Sequence, residues 1–148
     1  MAGSIAVTLP VTEMLASGAL LLLLDQWSKR IVRRRLSGRS LSWGTVLRLR
    51  CVQNRASVFR RHRSGALLVL VWCAALVAMV VLHRSGAWFQ SRVAMIGLGL
   101  ALGGAASNLL DGLRDRAIVD FIDLSWWPVF NVADVAIVAG LLAAFWAR

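Results

Sequence analysis

The sequence predicts an all-α membrane protein, a four-transmembrane-helix bundle with a small β element outside the bilayer, and three observations predict it. The 148 residues are 59% hydrophobic with a mean hydropathy of +0.70, too apolar for a water-soluble domain of this length. The apolar residues gather into four blocks, each close to the roughly 20 residues needed to cross about 30 Å of hydrocarbon. Between the first two blocks the residues alternate apolar and polar with the period of a strand. One bundle uses the whole chain, so residues 1–148 are expected to form a single integral membrane domain.

The first span is expected at about 12–32, with Leu20 to Leu24 at its heart and Asp25 and Lys29 towards its end. It has no basic stretch before it, so it is expected to stay in the protein and not to be a cleaved leader. From Leu47 to Val52, Leu47, Leu49 and Cys51 alternate with Arg48, Arg50 and Val52, as in a strand with one apolar face, within a loop at about 37–62. The second span, about 66–82, is an almost unbroken apolar run and reads as structural. The third, about 93–110, holds Gly97, Gly99, Gly103, Gly104, Ala105, Ala106 and Ser107, small residues that let another helix approach closely, and is expected to be central. The fourth, about 130–147, follows Pro128 and carries Asn131 and Asp134 in its first turns. Trp126 and Trp127 precede it and read as anchors at the headgroup boundary.

The net charge of +10 comes from residues that flank spans, so anionic lipid is the expected partner and nucleic acid is not. Cys51 and Cys73 stand in unlike settings, and His62 and His83 form no ligand spacing, so neither a disulfide, a metal nor another cofactor is expected. The protein is expected to act as a monomer.

Chemistry is sought among the acids. There are seven, Glu13, Asp25, Asp111, Asp115, Asp120, Asp123 and Asp134, and five fall between 111 and 134. A carboxylate inside a span costs roughly 2.5 to 3.5 kcal/mol, so Asp25 and Asp134 should face the bundle interior with partners. For Asp134 a structural reading competes, compensation of the helix dipole at the start of the fourth span. For Asp25 the competitor is an i, i+4 pair with Lys29. Asn131 and Asp134 are three apart, as are Asn108 and Asp111, so each amide either orients a carboxylate or bonds between helices.

Four motifs stand in order along the chain: Asp25-Gln26-Trp27-Ser28-Lys29; Asn54-Arg55-Ala56-Ser57-Val58-Phe59; Gly103-Gly104-Ala105-Ala106-Ser107-Asn108 running on to Val119-Asp120-Phe121; and Phe130-Asn131-Val132-Ala133-Asp134. Together they resemble those of the lipoprotein signal peptidases (signal peptidase II), aspartic proteases of bacterial inner membranes. The resemblance implies a four-span bundle with an extramembrane β-cradle and a multi-pass place in the bacterial cytoplasmic membrane. It implies Asp120 and Asp134 as the catalytic pair, with Asp25, Lys29, Asn54, Gly104, Asn108 and Asn131 supporting them or touching substrate. The implied substrate is a prolipoprotein whose cysteine carries diacylglycerol, cut on the amino side of that cysteine. In such a pair one carboxyl keeps a proton while the other takes one from the attacking water.

The chain departs from the pattern at Ala56 and Ser107 and, further, at Gly112, where the family has arginine after the aspartate, and at Arg116, where it has glycine. Arg114 or Arg116 is expected to stand in for the missing guanidinium. Residues 29–64 contain twelve Lys or Arg, against Arg84 and Arg92 between spans two and three. The positive-inside rule therefore turns the basic loop and Asp120 to the cytoplasm, whereas the family keeps them on the outer face. Three competing chemistries follow: a serine nucleophile (Ser28, Ser57 or Ser107) with Lys29 as base, the same acid pair acting on a small lipophilic substrate from the cytoplasmic side, and a non-catalytic lipid-binding or ion-conducting bundle.

Overall fold

The computed structural model describes residues 2–55, 64–86 and 88–147. Four helices and three strands follow one another as α1 (Ala2–Arg35), β1 (Ser40–Trp43), β2 (Leu47–Asn54), α2 (Ser64–Arg84), α3 (Arg92–Asp115), β3 (Ile118–Asp123) and α4 (Val132–Trp146). The architecture is thus mostly helical with one small antiparallel sheet of order β1-β2-β3. Ala56 to Phe59 of the second motif, the end of the expected cradle loop and the serine alternative at Ser57 lie outside the described residues.

α1 begins ten residues earlier than the apolar run suggests and continues through Pro10. Its buried stripe is Met14, Leu21, Asp25, Lys29 and Val32, spaced as one helical face and continued by Leu36 just past its end, so two charged residues sit in line with the core. Arg33, Arg34 and Arg35 close the helix where cations complement its dipole. α3 packs against both α1 and α4. Its glycines make this possible: a Cβ on Gly103 would stand 2.3 Å from the Gly18 carbonyl oxygen of α1, and one on Gly104 would stand 2.7 Å from the Ala133 oxygen of α4.

Among the described residues only α3 is both long and apolar enough to cross a bilayer by length and composition; Val69–Arg84 and Val132–Trp146 are shorter apolar helices. α4 falls short of that by its length. The 15 residues of α4 rise about 22 Å, and the chain reaches the helix through a bridge between Ile122 and Phe130.

β2 covers the stretch whose alternation predicts a strand, and Leu49 and Cys51 pack with Phe121 on Val32 and Leu36 at the end of α1. β3 is not foreshadowed by any alternation. It pairs with β2 through Arg48↔Asp123 and Leu49↔Ile122, then, after a bulge, through Val52↔Asp120 and Asn54↔Ile118. Paired residues share a face and successive residues alternate, so the bulge reverses which β2 residues lie beside Asp120. Without it Asn54 would point to the face opposite Asp120; with it both point the same way.

Candidate active site

Asp120 and Asp134 reach the site from different elements and meet around Asn131. Asn131 is the N-cap of α4, and Asp134 is the third residue of the helix. The two form a reciprocal capping box: the Asp134 N–H donates to Asn131 Oδ1 at 3.0 Å, and the Asn131 N–H donates to Asp134 Oδ2 at 3.0 Å. The Asn131 side-chain amide, fully buried, then donates to Asp120 Oδ1 at 2.8 Å. One asparagine therefore touches both carboxylates. The dipole-compensating reading of Asp134 is correct as far as it goes, since the residue does cap its helix, but its other oxygen is free for a second task.

That second oxygen, Asp134 Oδ1, accepts from Asn108 Nδ2 at 2.8 Å. The remaining oxygen of Asp120 accepts from Asn54 Nδ2 at 3.1 Å, the contact that the β2 bulge permits. Burial pushes the Asp120 carboxyl above the usual carboxylate range, and the nearby charge of Asp134 adds to this; the Asn54 and Asn131 amides and the Lys29 ammonium work against it. The arrangement is two carboxyl groups, each held by two N–H donors, with one of them biased towards its protonated form.

Beneath the pair lies a buried ionic layer. Lys29 is ion-paired with Asp25 at 2.6 Å and with Asp111 at 2.9 Å, and it donates to Asn108 Oδ1 at 2.9 Å. Asn108 Oδ1 also accepts from Asn131 Nδ2 at 3.2 Å, so its oxygen is committed and its nitrogen is the end that faces Asp134. The i, i+4 pair of Asp25 and Lys29 thus exists, and Asp25 does more than neutralise it. Its Oδ1 accepts the Ala133 N–H of the first turn of α4 at 2.9 Å, and its Oδ2 accepts from Ser107 Oγ at 2.7 Å. A carboxylate of α1 thereby satisfies an orphan donor at the start of α4 and fixes the helix that carries Asp134.

The expected residues Asp25, Lys29, Asn54, Asn108, Asn131, Asp120 and Asp134 are therefore joined in one hydrogen-bonded set, and Gly104 adjoins it as the point where α3 meets the first turn of α4. Arg116 is not joined. It is the exposed C-cap of α3 in the left-handed conformation, φ 51° and ψ 27°, and its side chain makes no hydrogen bond or ion pair among the described residues. A glycine would suit that backbone better. Nor does Arg114 reach Asp111; its Nε lies 4.0 Å from Asp115. The guanidinium beside Asp111 comes instead from α1, where Arg33 approaches Asp111 at 3.9 Å and Asp115 at 2.5 Å.

Sequence reasoning also passed over Gln26, whose Nε2 donates to Ser107 Oγ and Asp111 Oδ1, each at 2.9 Å. The spacing of Gln26, Lys29 and Arg33 on one side of α1, and of Ser107 and Asp111 on α3, is the signal that could have revealed this seam. The same seam weakens the serine alternatives. Ser107 is bonded to Asp25, Ser28 Oγ donates to the Asp25 carbonyl at 2.8 Å, and the Lys29 nitrogen is already engaged by two carboxylates.

Comparisons with known proteins give the family. The profile of the family described as "Signal peptidase (SPase) II" matches residues 18–147. A lipoprotein signal peptidase of Moorella thermoacetica is 38% identical over 130 residues, 86% of each chain, and one of Nitratidesulfovibrio vulgaris is 33% identical over 141 residues, 88% of this chain and 86% of that one. A lipoprotein signal peptidase of Rhodococcus jostii is 38% identical over 105 residues, and there the match spans about half of the relative's length, 52%. A solved structure described as a bacterial membrane enzyme superposes with a TM-score of 0.77 over 90% of both chains at 20% identity, a likeness of fold. Matched along nearly all of its length by one family, and at more than 30% identity by relatives it covers almost end to end, the chain belongs to the signal peptidase II family.

Proposed function

We propose that the protein is an intramembrane aspartic endopeptidase that removes signal peptides from lipid-modified precursor proteins, with Asp120 and Asp134 sharing one proton at its centre. The single observation that carries the chemistry is Asn131, which bonds Asp120 through its side chain and Asp134 through its backbone and so holds two carboxylates at one spot. Such a pair loses its first proton readily and its second reluctantly. Burial on β3 weights the retained proton to Asp120. Asp134, facing N–H donors of Asn108 and Asn131, then takes the proton from water as that water attacks the scissile carbonyl, and Asp120 donates to the developing oxyanion. The tetrahedral intermediate collapses when the departing amine receives a proton, which returns the pair to its starting state. No covalent enzyme intermediate is needed.

The membrane placement belongs to the same proposal. The four helices form a single spanning bundle in the bacterial cytoplasmic membrane, and β1 to β3 form a cradle at the end where α1 and α3 finish and α4 begins. A shallow apolar groove of about 340 Å³ runs from Asp134 along Val135, Val138 and Leu142 of α4, past Trp127. It suits an apolar peptide or acyl chain entering from the bilayer. In the preferred orientation this end faces outward.

The twelve Lys or Arg of residues 29–64 favour a second reading, in which the pair faces the cytoplasm and serves a small lipophilic substrate. One labelling experiment separates the two: with Cys73 replaced, Cys51 on β2 reacts with an impermeant thiol reagent only from the side the cradle occupies. Outward labelling supports the peptidase; inward labelling supports the second reading. Asp120→Asn and Asp134→Asn are each expected to abolish cleavage of a lipidated precursor in reconstituted membranes while the protein still inserts. Cleavage retained by either variant would sink the mechanism.

A further inference from the structure

The ends of α1 and α3 enclose a polar cleft of about 230 Å³ that the proposed hydrolysis does not use. Its buried wall is Lys29 and Asp111, already paired with each other. Asp111 and Asp115 are the only acids lining it, against five lysines and arginines. Arg33 answers Asp115, yet its buried Nε has no acceptor among the described residues. Arg30 and Arg34, one turn apart at the exposed rim, make no side-chain hydrogen bond or ion pair among the described residues, and Arg114 faces the cleft from α3. The cleft therefore has unspent positive charge and an unused buried donor, the complement of a phosphate group with its several acceptor oxygens.

What surrounds the cleft identifies the source of that phosphate. Leu20, Leu23, Trp27, Arg30 and Arg34 follow one another at intervals of three and four, a single outward face of α1. The first three are large, apolar and exposed, at 59%, 65% and 62%. Along this face an apolar stretch gives way to an indole and then to two guanidinium groups, the order in which a phospholipid presents chains, glycerol and phosphate. We propose that the cleft binds the phosphate of an anionic phospholipid, whose acyl chains lie along Leu20 and Leu23 and whose phosphate sits between Arg30, Arg34 and Arg114. The inference rests on the membrane placement proposed above.

The test uses the full chain purified in detergent, exposed to equal phosphatidylglycerol and phosphatidylcholine and examined by native mass spectrometry. Retention of phosphatidylglycerol in preference to phosphatidylcholine is expected. Arg30→Gln with Arg34→Gln should lower that preference by about 5-fold per arginine, about 25-fold together. Arg30→Lys with Arg34→Lys should keep most of it, and Arg84→Gln at the other end of the bundle should leave it unchanged. Equal retention of the two lipids, or the same loss from Arg84→Gln as from the rim pair, overturns the cleft. If millimolar sodium phosphate displaces the lipid fully, the site belongs to a soluble phosphate and the lipid assignment falls. Incorporation into phosphatidylcholine nanodiscs checks the placement separately: failure there removes placement and cleft together, whereas incorporation with indifferent lipid retention removes the cleft alone.

Discussion

Replacing Lys29 by methionine tests whether the buried ionic layer holds the bundle together. Methionine keeps the length and apolar stem of lysine and deletes only the ammonium. Lys29 is 1% exposed and its two carboxylate partners are 0% and 3% exposed, so water does not replace what is lost. Removing one member of a buried ion pair costs about 3 to 5 kcal/mol, because the partner remains as an uncompensated buried charge. Here one cation serves two carboxylates, though Asp25 keeps donors from Ser107 and Ala133 and Asp111 keeps Gln26, so the expected loss stays within about 3 to 5 kcal/mol rather than doubling. The assay is reversible unfolding in mixed micelles followed by tryptophan fluorescence, on the parent, Lys29→Met, Asp111→Asn and the double variant. Because Asp111→Asn removes one stranded charge, the double variant should be more stable than the sum of the single losses allows, with a coupling of about 0.5 to 3 kcal/mol. A Lys29→Met protein as stable as the parent, or strict additivity in the cycle, would refute the reasoning.

Two further expectations follow from the same geometry. Gly104→Ala sets a Cβ 2.7 Å from the Ala133 oxygen, where only backbone movement relieves the overlap, so a loss of about 1 to 3 kcal/mol in thermal or denaturant unfolding is expected; an unchanged midpoint would show that α3 and α4 do not approach as described. The proton balance of the acid pair is tested through Asn54, whose amide favours ionised Asp120. Activity needs one proton on the pair, so it falls at low pH when both carboxyls are protonated and at high pH when Asp120, held above the usual range, finally ionises. Asn54→Leu removes a donor to the anion and should carry the alkaline limb of the kcat/KM profile upward; a limb that stays or moves down contradicts the assignment of the proton to Asp120.

The four helices and strand β2 were legible in the sequence, because each leaves a local mark. Apolar runs reveal helices, four ordered motifs single out the candidate site residues, and the alternation from Leu47 to Val52 reveals β2. The small residues of α3 revealed a central helix, since close packing requires them whatever their neighbours. Contacts between distant segments leave no such mark. β3 has no alternation of its own and exists because β2 and Phe130 pair with it.

The β2 bulge, a single extra residue, decides that Asn54 faces Asp120, and a strand read straight through its alternation gives the opposite answer. Likewise, nearness in sequence pointed to Arg114 or Arg116 as the guanidinium beside Asp111, whereas the crossing of α1 and α3 supplies Arg33, 78 positions away. Composition and periodicity determine which residues a helix or strand carries and which are worth placing in a site. Only the packing of three helices and a sheet determines which oxygens meet, because hydrogen bonds select partners by angstroms in space and not by distance along the chain.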